Sequence, residues 1–229
     1  MVRQAVLPKG ESGSFWKQNG LPKSQPGLNW KGEFSVQFKF DSPDSLLASF
    51  HSNFTSGQLI LITGQSGSGK TNWCQNFAIA AVNQGIQPEG LLSPAVFSQG
   101  IKIGIDLMNI SSGEKKTLAV RHDTISSLLD IHTGIKMSDW LIDPEVLSWG
   151  NKILSMLPTS RELLVLDELG PLEFLENTGL TAGLELITHK SFKLACVVVR
   201  PTLLGIALEQ WPWAEVLHTV IQPTKSDHQ

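Results

Sequence analysis

Leu59-Ile60-Leu61-Ile62-Thr63-Gly64-Gln65-Ser66-Gly67-Ser68-Gly69-Lys70-Thr71 decides how the rest of this chain is read. Its opening run of β-favouring apolar residues fits a strand buried on both faces. Gly64 to Thr71 then matches G-x-x-x-x-G-K-[ST] at every position. From Lys70 to Asn83 the residues Trp73, Phe77 and Ala81 recur at the four-residue spacing of one helix face. A strand, a Gly-rich loop and a helix in that order distinguish a phosphate-binding loop from a chance Gly/Ser turn. Glycines let successive N–H groups turn inward around a phosphate, and the helix start adds free N–H groups and its positive dipole end. Gly64, Gln65, Ser66, Gly67, Ser68, Gly69, Lys70, Thr71 and Asn72 are therefore the candidate nucleotide-binding positions. Lys70 brings a charge to the β and γ phosphates, and the Thr71 hydroxyl is a candidate ligand for Mg²⁺.

A second motif stands downstream. Leu163-Leu164-Val165-Leu166-Asp167-Glu168 is an apolar strand ending in two acids. Burial of that strand leaves Asp167 at its C-terminal tip, the edge where open α/β sheets bind ligands. Asp167 is the second candidate Mg²⁺ ligand, and Glu168 the candidate general base that orients and deprotonates an attacking water. A transferase with a bound acceptor has less use for such a glutamate. Glu173 follows a Gly170-Pro171 turn that would return it to the same edge. It reads equally as a residue that places metal-bound water and as one that steadies a loop.

Between and around the motifs, apolar runs alternate with helical patterns. Asp143-Pro144 opens a helix, residues 178–189 form another, Leu194–Val199 is a third buried strand, and a helix near Thr202–Glu209 leads to a last strand near Val216–Ile221. Such alternation predicts a mainly parallel α/β sheet flanked by helices. Ile101, Ile103, Ile105 and Leu107 alternate with polar or small residues, Ser111-Ser112-Gly113-Glu114 is a turn, and Thr117–Val120 resumes an extended run. This is an antiparallel β-hairpin added at the sheet edge, either covering part of the nucleotide site or purely structural.

The block Gly100-Ile101-Lys102-Ile103-Gly104-Ile105-Asp106-Leu107 also carries a resemblance, together with Gly90–Val96 before it and Ser112-Gly113-Glu114, Leu118-Ala119 and Asp167-Glu168-Leu169-Gly170-Pro171-Leu172-Glu173 after it. In that order these resemble the small P-loop nucleoside-triphosphatases of the thermophile and cancer-related type. The likeness spans about residues 59–175, and more weakly reaches about residue 221. It implies a P-loop NTPase fold and Mg²⁺-dependent hydrolysis of nucleoside triphosphates, ATP, GTP and others, to diphosphate and phosphate, with loose base selectivity. Pro94, Ile105 and Pro171 depart from the family's usual residues and bear on substrate preference and turnover. Ser111–Lys116 is similar to the signature of ABC-type ATPases. It stands about 50 residues before the second acidic motif, with strand-like flanks, and is set aside as coincidence.

Composition bounds the alternatives. The 229 residues are 41% hydrophobic and 17% charged, with a net charge of −3, which supplies a core and no bulk basic field for nucleic acid or anionic lipid. No sequence-specific nucleic-acid partner and no membrane partner is expected, since no apolar run reaches the ~18 residues of a spanning helix. Cys74 and Cys196 are the only cysteines, so a disulfide framework is excluded and a cytoplasmic setting is the default. Residues 1–32 read as a flexible tail, 33–57 as an extension with one strand and a short helix, 58–222 as the P-loop domain, and 223–229 as a polar tail. Trp16 and Trp30 either pin the tail to the body or meet a protein partner. The four arginines are Arg3, Arg121, Arg161 and Arg200. None forms the arginine-rich lid of a nucleotide kinase. Arg200 ends the Leu194–Val199 strand and, if that strand is parallel to the others, reaches the catalytic edge. It is the candidate finger or sensor, with a cap or salt bridge as the other reading. The second functional class is a slow nucleotide-dependent switch or partner-binding, ABC-like regulatory ATPase, and a kinase comes third.

Overall fold

A computed structural model describes Pro43, Leu46, Leu47 and residues 57–122, 134–158 and 161–219. The expected tails, the strand over 33–41, Trp16, Trp30 and the last residues of the final strand lie outside these. The described strands are β1 (Gln58–Thr63), β2 (Pro88–Leu92), β3 (Ala95–Ser98), β4 (Ile101–Asn109), β5 (Lys115–Arg121), β6 (Ile135–Met137), β7 (Trp140–Ile142), β8 (Arg161–Leu169), β9 (Phe192–Val199) and β10 (Glu215–His218). The helices are α1 (Lys70–Asn83), α2 (Pro144–Ser155), the single turn α3 (Pro171–Phe174), α4 (Thr181–Thr188) and α5 (Leu204–Gln210), the last entered through a 3₁₀ turn at Pro201–Leu203.

All ten strands join one sheet in the order β10-β1-β9-β8-β2-β4-β5-β7-β6, with β3 paired to β4 off that path. From β10 to β2 the pairing is parallel, and from β4 onward it is antiparallel. The order puts β9 between the strand that feeds the phosphate loop and the strand that carries the acids.

Strand pleating explains the two cores. In β1, Ile60 and Ile62 pack with Trp73, Cys74, Phe77, Ala81 and Cys196 under α1. Leu59 and Leu61 point the other way, onto a larger cluster with Leu154, Leu164, Leu166, Ile187, Val197 and Trp211 beneath α2, α4 and α5. Leu46 and Leu47 are helical and fully buried on the α1 side. Helix α2 starts where Asp143-Pro144 marks it: Asp143 Oδ1 accepts from Glu145 N–H at 2.8 Å, and Pro144 takes the first turn.

The antiparallel part is larger than one hairpin. Beyond the expected β4–β5 pair, β3 folds back on β4, and β6 and β7 form a two-residue hairpin through Ser138-Asp139 that extends β5. Strands of three residues carry too little alternation to stand out from a loop.

Candidate functional site

The phosphate loop follows β1 directly. Gln65, Ser66 and Gly67 are exposed, while Ser68 turns inward. Gly69 stands at φ 84° as the N-cap of α1, a left-handed conformation that glycine takes without steric cost. Gly64 is needed for closeness: a Cβ there would lie 2.3 Å from Thr219 Oγ1 and 2.4 Å from the Thr219 carbonyl oxygen. Thr219, just past β10, shares a 2.6 Å hydrogen bond with the buried Ser68 hydroxyl, and its N–H donates to the Thr63 carbonyl at 2.7 Å. The loop is thus clamped from behind by Thr219. The Ser68 side chain serves that clamp, and its backbone N–H donates to the Gln65 carbonyl at 3.1 Å, closing the turn of the loop.

Lys70 Nζ donates to the carbonyl oxygens of Gly64 and Gln65 at 2.8 and 2.9 Å, arched over the loop it belongs to. Burial lowers its pKa below the usual lysine value, and Glu168 and Asp167 partly offset that. Asn72 is exposed on the first turn of α1.

Asp167 is buried at the tip of β8. Its Oδ2 accepts from Ser93 N–H at 3.0 Å, Ser93 Oγ donates to the Asp167 carbonyl at 2.7 Å, and the Thr71 side chain hydrogen-bonds the carboxylate. Burial pushes its pKa up to about 6, against the opposing pull of those hydrogen bonds. Ser93, which holds Asp167 through both of these bonds, is a neighbour that sequence reasoning passed over. Its signal was its place one residue past β2, whose strand neighbours β8.

Glu168 follows in a break of register between Leu166 and Leu169, with φ at 82°. A non-glycine residue held there is strained, and such strain gathers at functional positions. The irregularity turns Glu168 out of the sheet while Asp167 stays in. Arg200, at the tip of the parallel neighbour β9, contacts the Glu168 carboxylate through Nε. Arg200 thus stands at the edge of the two acids, in a salt bridge, which was the other reading of this residue.

Glu173 sits in α3 with both oxygens occupied. Oε2 accepts from Gly170 N–H at 2.7 Å and Oε1 from Leu180 N–H at 2.6 Å. Of its two readings, this geometry is that of a residue steadying a loop. Arg161 lies at the opposite edge, where it donates to the carbonyls of Ser191 and Pro158 and stands 3.8 Å from Glu89. Among the described residues no cluster of His, Cys, Asp and Glu forms a metal cage. Thr71 and Asp167 offer instead a hydroxyl and a carboxylate side by side, hard oxygen donors suited to a cation shared with phosphates.

A family model described as NTPase matches residues 59–209, well over half of the chain. The nucleoside-triphosphatase THEP1 of Caldivirga maquilingensis is 25% identical over 135 residues, covering 59% of this chain and 72% of that protein. The solution structure of a human cancer-related nucleoside triphosphatase superposes with a TM-score of 0.52 at 18% identity, covering 74% of this chain and 90% of that one. At that identity the structural likeness is one of fold: a mixed α/β sheet with flanking helices.

Proposed function

This chain belongs to the NTPase family and is a nucleoside-triphosphate hydrolase, and on that premise we propose which of its residues carry the reaction. The observation that carries the proposal is the meeting of Thr71, from the phosphate loop, with Asp167, from the acidic strand, beside the outward-turned Glu168.

In this reading the N–H groups of Gly64–Thr71 cradle the triphosphate. Lys70 gives up its loop carbonyls to sit between the β and γ phosphates. Thr71 and Asp167 would hold Mg²⁺, which supplies charge neutralisation between the β- and γ-phosphate oxygens. Glu168 accepts the proton of the attacking water, which adds to the γ-phosphorus as the bond to the β-γ bridging oxygen breaks. The products are the nucleoside diphosphate and inorganic phosphate. Arg200 holds the Glu168 carboxylate and shares its guanidinium with the γ-phosphate as charge develops there. Asn72, exposed on the first turn of α1, would meet the nucleotide's flank. No described helix is long and apolar enough to cross a membrane, and the aqueous cytoplasm is the setting we propose.

Phosphate release from ATP, GTP, CTP and UTP with Mg²⁺, native chain against Glu168→Gln, tests the assignment. We expect release from several nucleotides and a fall in kcat of about 10²-fold or more in the variant, with nucleotide binding retained. Full activity in Glu168→Gln would remove Glu168 as the base.

A further inference from the structure

Regular pairing gives out on both sides of the Asp167–Glu168 peptide. On one side, β2 stays in register with β8 as far as Leu91 opposite Leu166. On the other, β8 runs from Leu166 to Leu169 while β9 advances only from Val197 to Val199. The extra residue on β8 makes a bulge, a device that re-aims the side chains around it. Glu168 stands in that bulge at φ 82°. The Asp167 carbonyl belongs to the peptide plane from which Glu168 turns, so whatever holds that carbonyl sets the direction in which the Glu168 side chain leaves.

Ser93 holds it. The Ser93 Oγ donates to the Asp167 carbonyl at 2.7 Å, and the Ser93 N–H donates to Asp167 Oδ2 at 3.0 Å. One residue thus grips Asp167 twice, at the main chain that leads to Glu168 and at the carboxylate that Thr71 also meets. Ser93 is itself fixed from both directions. Just before it, Leu92 pairs with Met108 of β4, and just after it the Pro94 carbonyl accepts from Asp106 N–H at 2.9 Å. Pro94 also confines Ser93 to an extended backbone, which keeps its N–H and hydroxyl from turning away.

Resting on the roles given above to Asp167 and Glu168, we propose that Ser93 is a positioning residue for triphosphate hydrolysis. It acts through the two acids. Its N–H aims the Asp167 carboxylate beside Thr71, and its hydroxyl fixes the bulged peptide so that Glu168 faces the attacking water. A strained backbone persists only where its surroundings impose it. The Ser93 hydroxyl restrains Glu168 at the main chain, and Arg200 restrains it at the carboxylate. A base must stand within hydrogen-bond reach of the proton it takes, and a misplacement of about 1 Å costs roughly 10²-fold in rate. The two duties are separable, because replacing the side chain removes the hydroxyl and leaves the N–H.

The test uses the full chain with Mg²⁺ and ATP, and compares native, Ser93→Ala, Ser93→Thr, Glu168→Gln and the double variant of Ser93→Ala with Glu168→Gln. It measures kcat and ATP affinity. For Ser93→Ala we expect kcat to fall about 10-fold or more and ATP affinity to change less than about threefold, since the N–H still holds Asp167. Ser93→Thr, which keeps the hydroxyl, should recover most of kcat. Added to Glu168→Gln, Ser93→Ala should lower the remaining turnover by less than about threefold, because the group it positions is already gone. A serine that only supports the fold would impose its full loss again. Should Ser93→Ala not fold, Ser93→Cys, of similar volume and a weaker donor, carries the same expectations. Native kcat in Ser93→Ala, equal losses of kcat and affinity, a Ser93→Thr no better than Ser93→Ala, or a full loss repeated on Glu168→Gln would overturn the proposal. If the native chain releases no phosphate, or Glu168→Gln keeps full activity, the reading of the two acids fails first and takes this inference with it. If the native chain is active, Glu168→Gln is impaired and Ser93→Ala matches the native chain, only the inference falls.

Discussion

At the scale of single residues, Asp167 shows what the site costs the fold. A carboxylate proposed to share a cation with phosphates is buried at a strand tip, with Ser93 and Thr71 as its polar company. Its folded pKa, about 6, lies above its ordinary value of 3.8. Between those values the folded chain binds more protons than the unfolded one, so its metal-free stability falls as pH rises through that window and stays lower above it. Asp167→Asn removes the titration and keeps an acceptor for Ser93 N–H. We expect urea midpoints without Mg²⁺ to favour the variant over the native chain increasingly from pH 4 to pH 7, while turnover is lost. A constant difference across that range would show that Asp167 is not the group being destabilised. Asp167, Glu168 and Lys70 were legible as residues because type and spacing carry their chemistry. Ser93 was not, because its role depends on a neighbour 74 positions away.

At the scale of elements, the turn after β8 is set by one side chain. Glu173 takes the N–H groups of Gly170 and Leu180, joining α3 to the start of α4 just below Glu168. Glu173→Ala leaves both buried donors unsatisfied, and we expect a loss of about 2–5 kcal/mol in unfolding free energy, read from denaturant curves. Loss of activity should follow unfolding and not precede it. Activity abolished in a variant of native stability would assign Glu173 a chemical role instead. The residue numbers of this turn were readable from Gly170-Pro171, whereas the direction of the carboxylate was not. A turn motif constrains the backbone, and what a side chain meets depends on where the next helix is laid. The same holds for β6 and β7, whose short alternation gains meaning only when β5 offers an edge.

At the scale of the whole molecule, sites far apart in sequence close on one another. Ser68 and Thr219 are 151 positions apart, and their hydrogen bond ties the phosphate loop to the end of β10. Thr219→Val keeps the shape and strands the buried Ser68 hydroxyl. We expect a loss of about 1–3 kcal/mol and a raised KM for nucleotide with kcat less affected, since the loop loses its brace and not its chemistry. Unchanged KM and stability would show that the brace is idle. By itself, the sequence determined that a Gly-rich loop at Gly64–Thr71 would join a buried strand to a helix, that Asp167 and Glu168 would end a buried strand, and that an α/β sheet would join them. Those outcomes follow from local rules: apolar runs, glycine freedom and helix starts act within a few residues. Only the tertiary structure decided that β9 stands between the two motif strands, that Arg200 touches Glu168, and that β4 runs on past the level of Asp167. Strand order and the bend of a bulged strand emerge from which faces bury each other, a competition among distant segments that no single stretch of sequence contains.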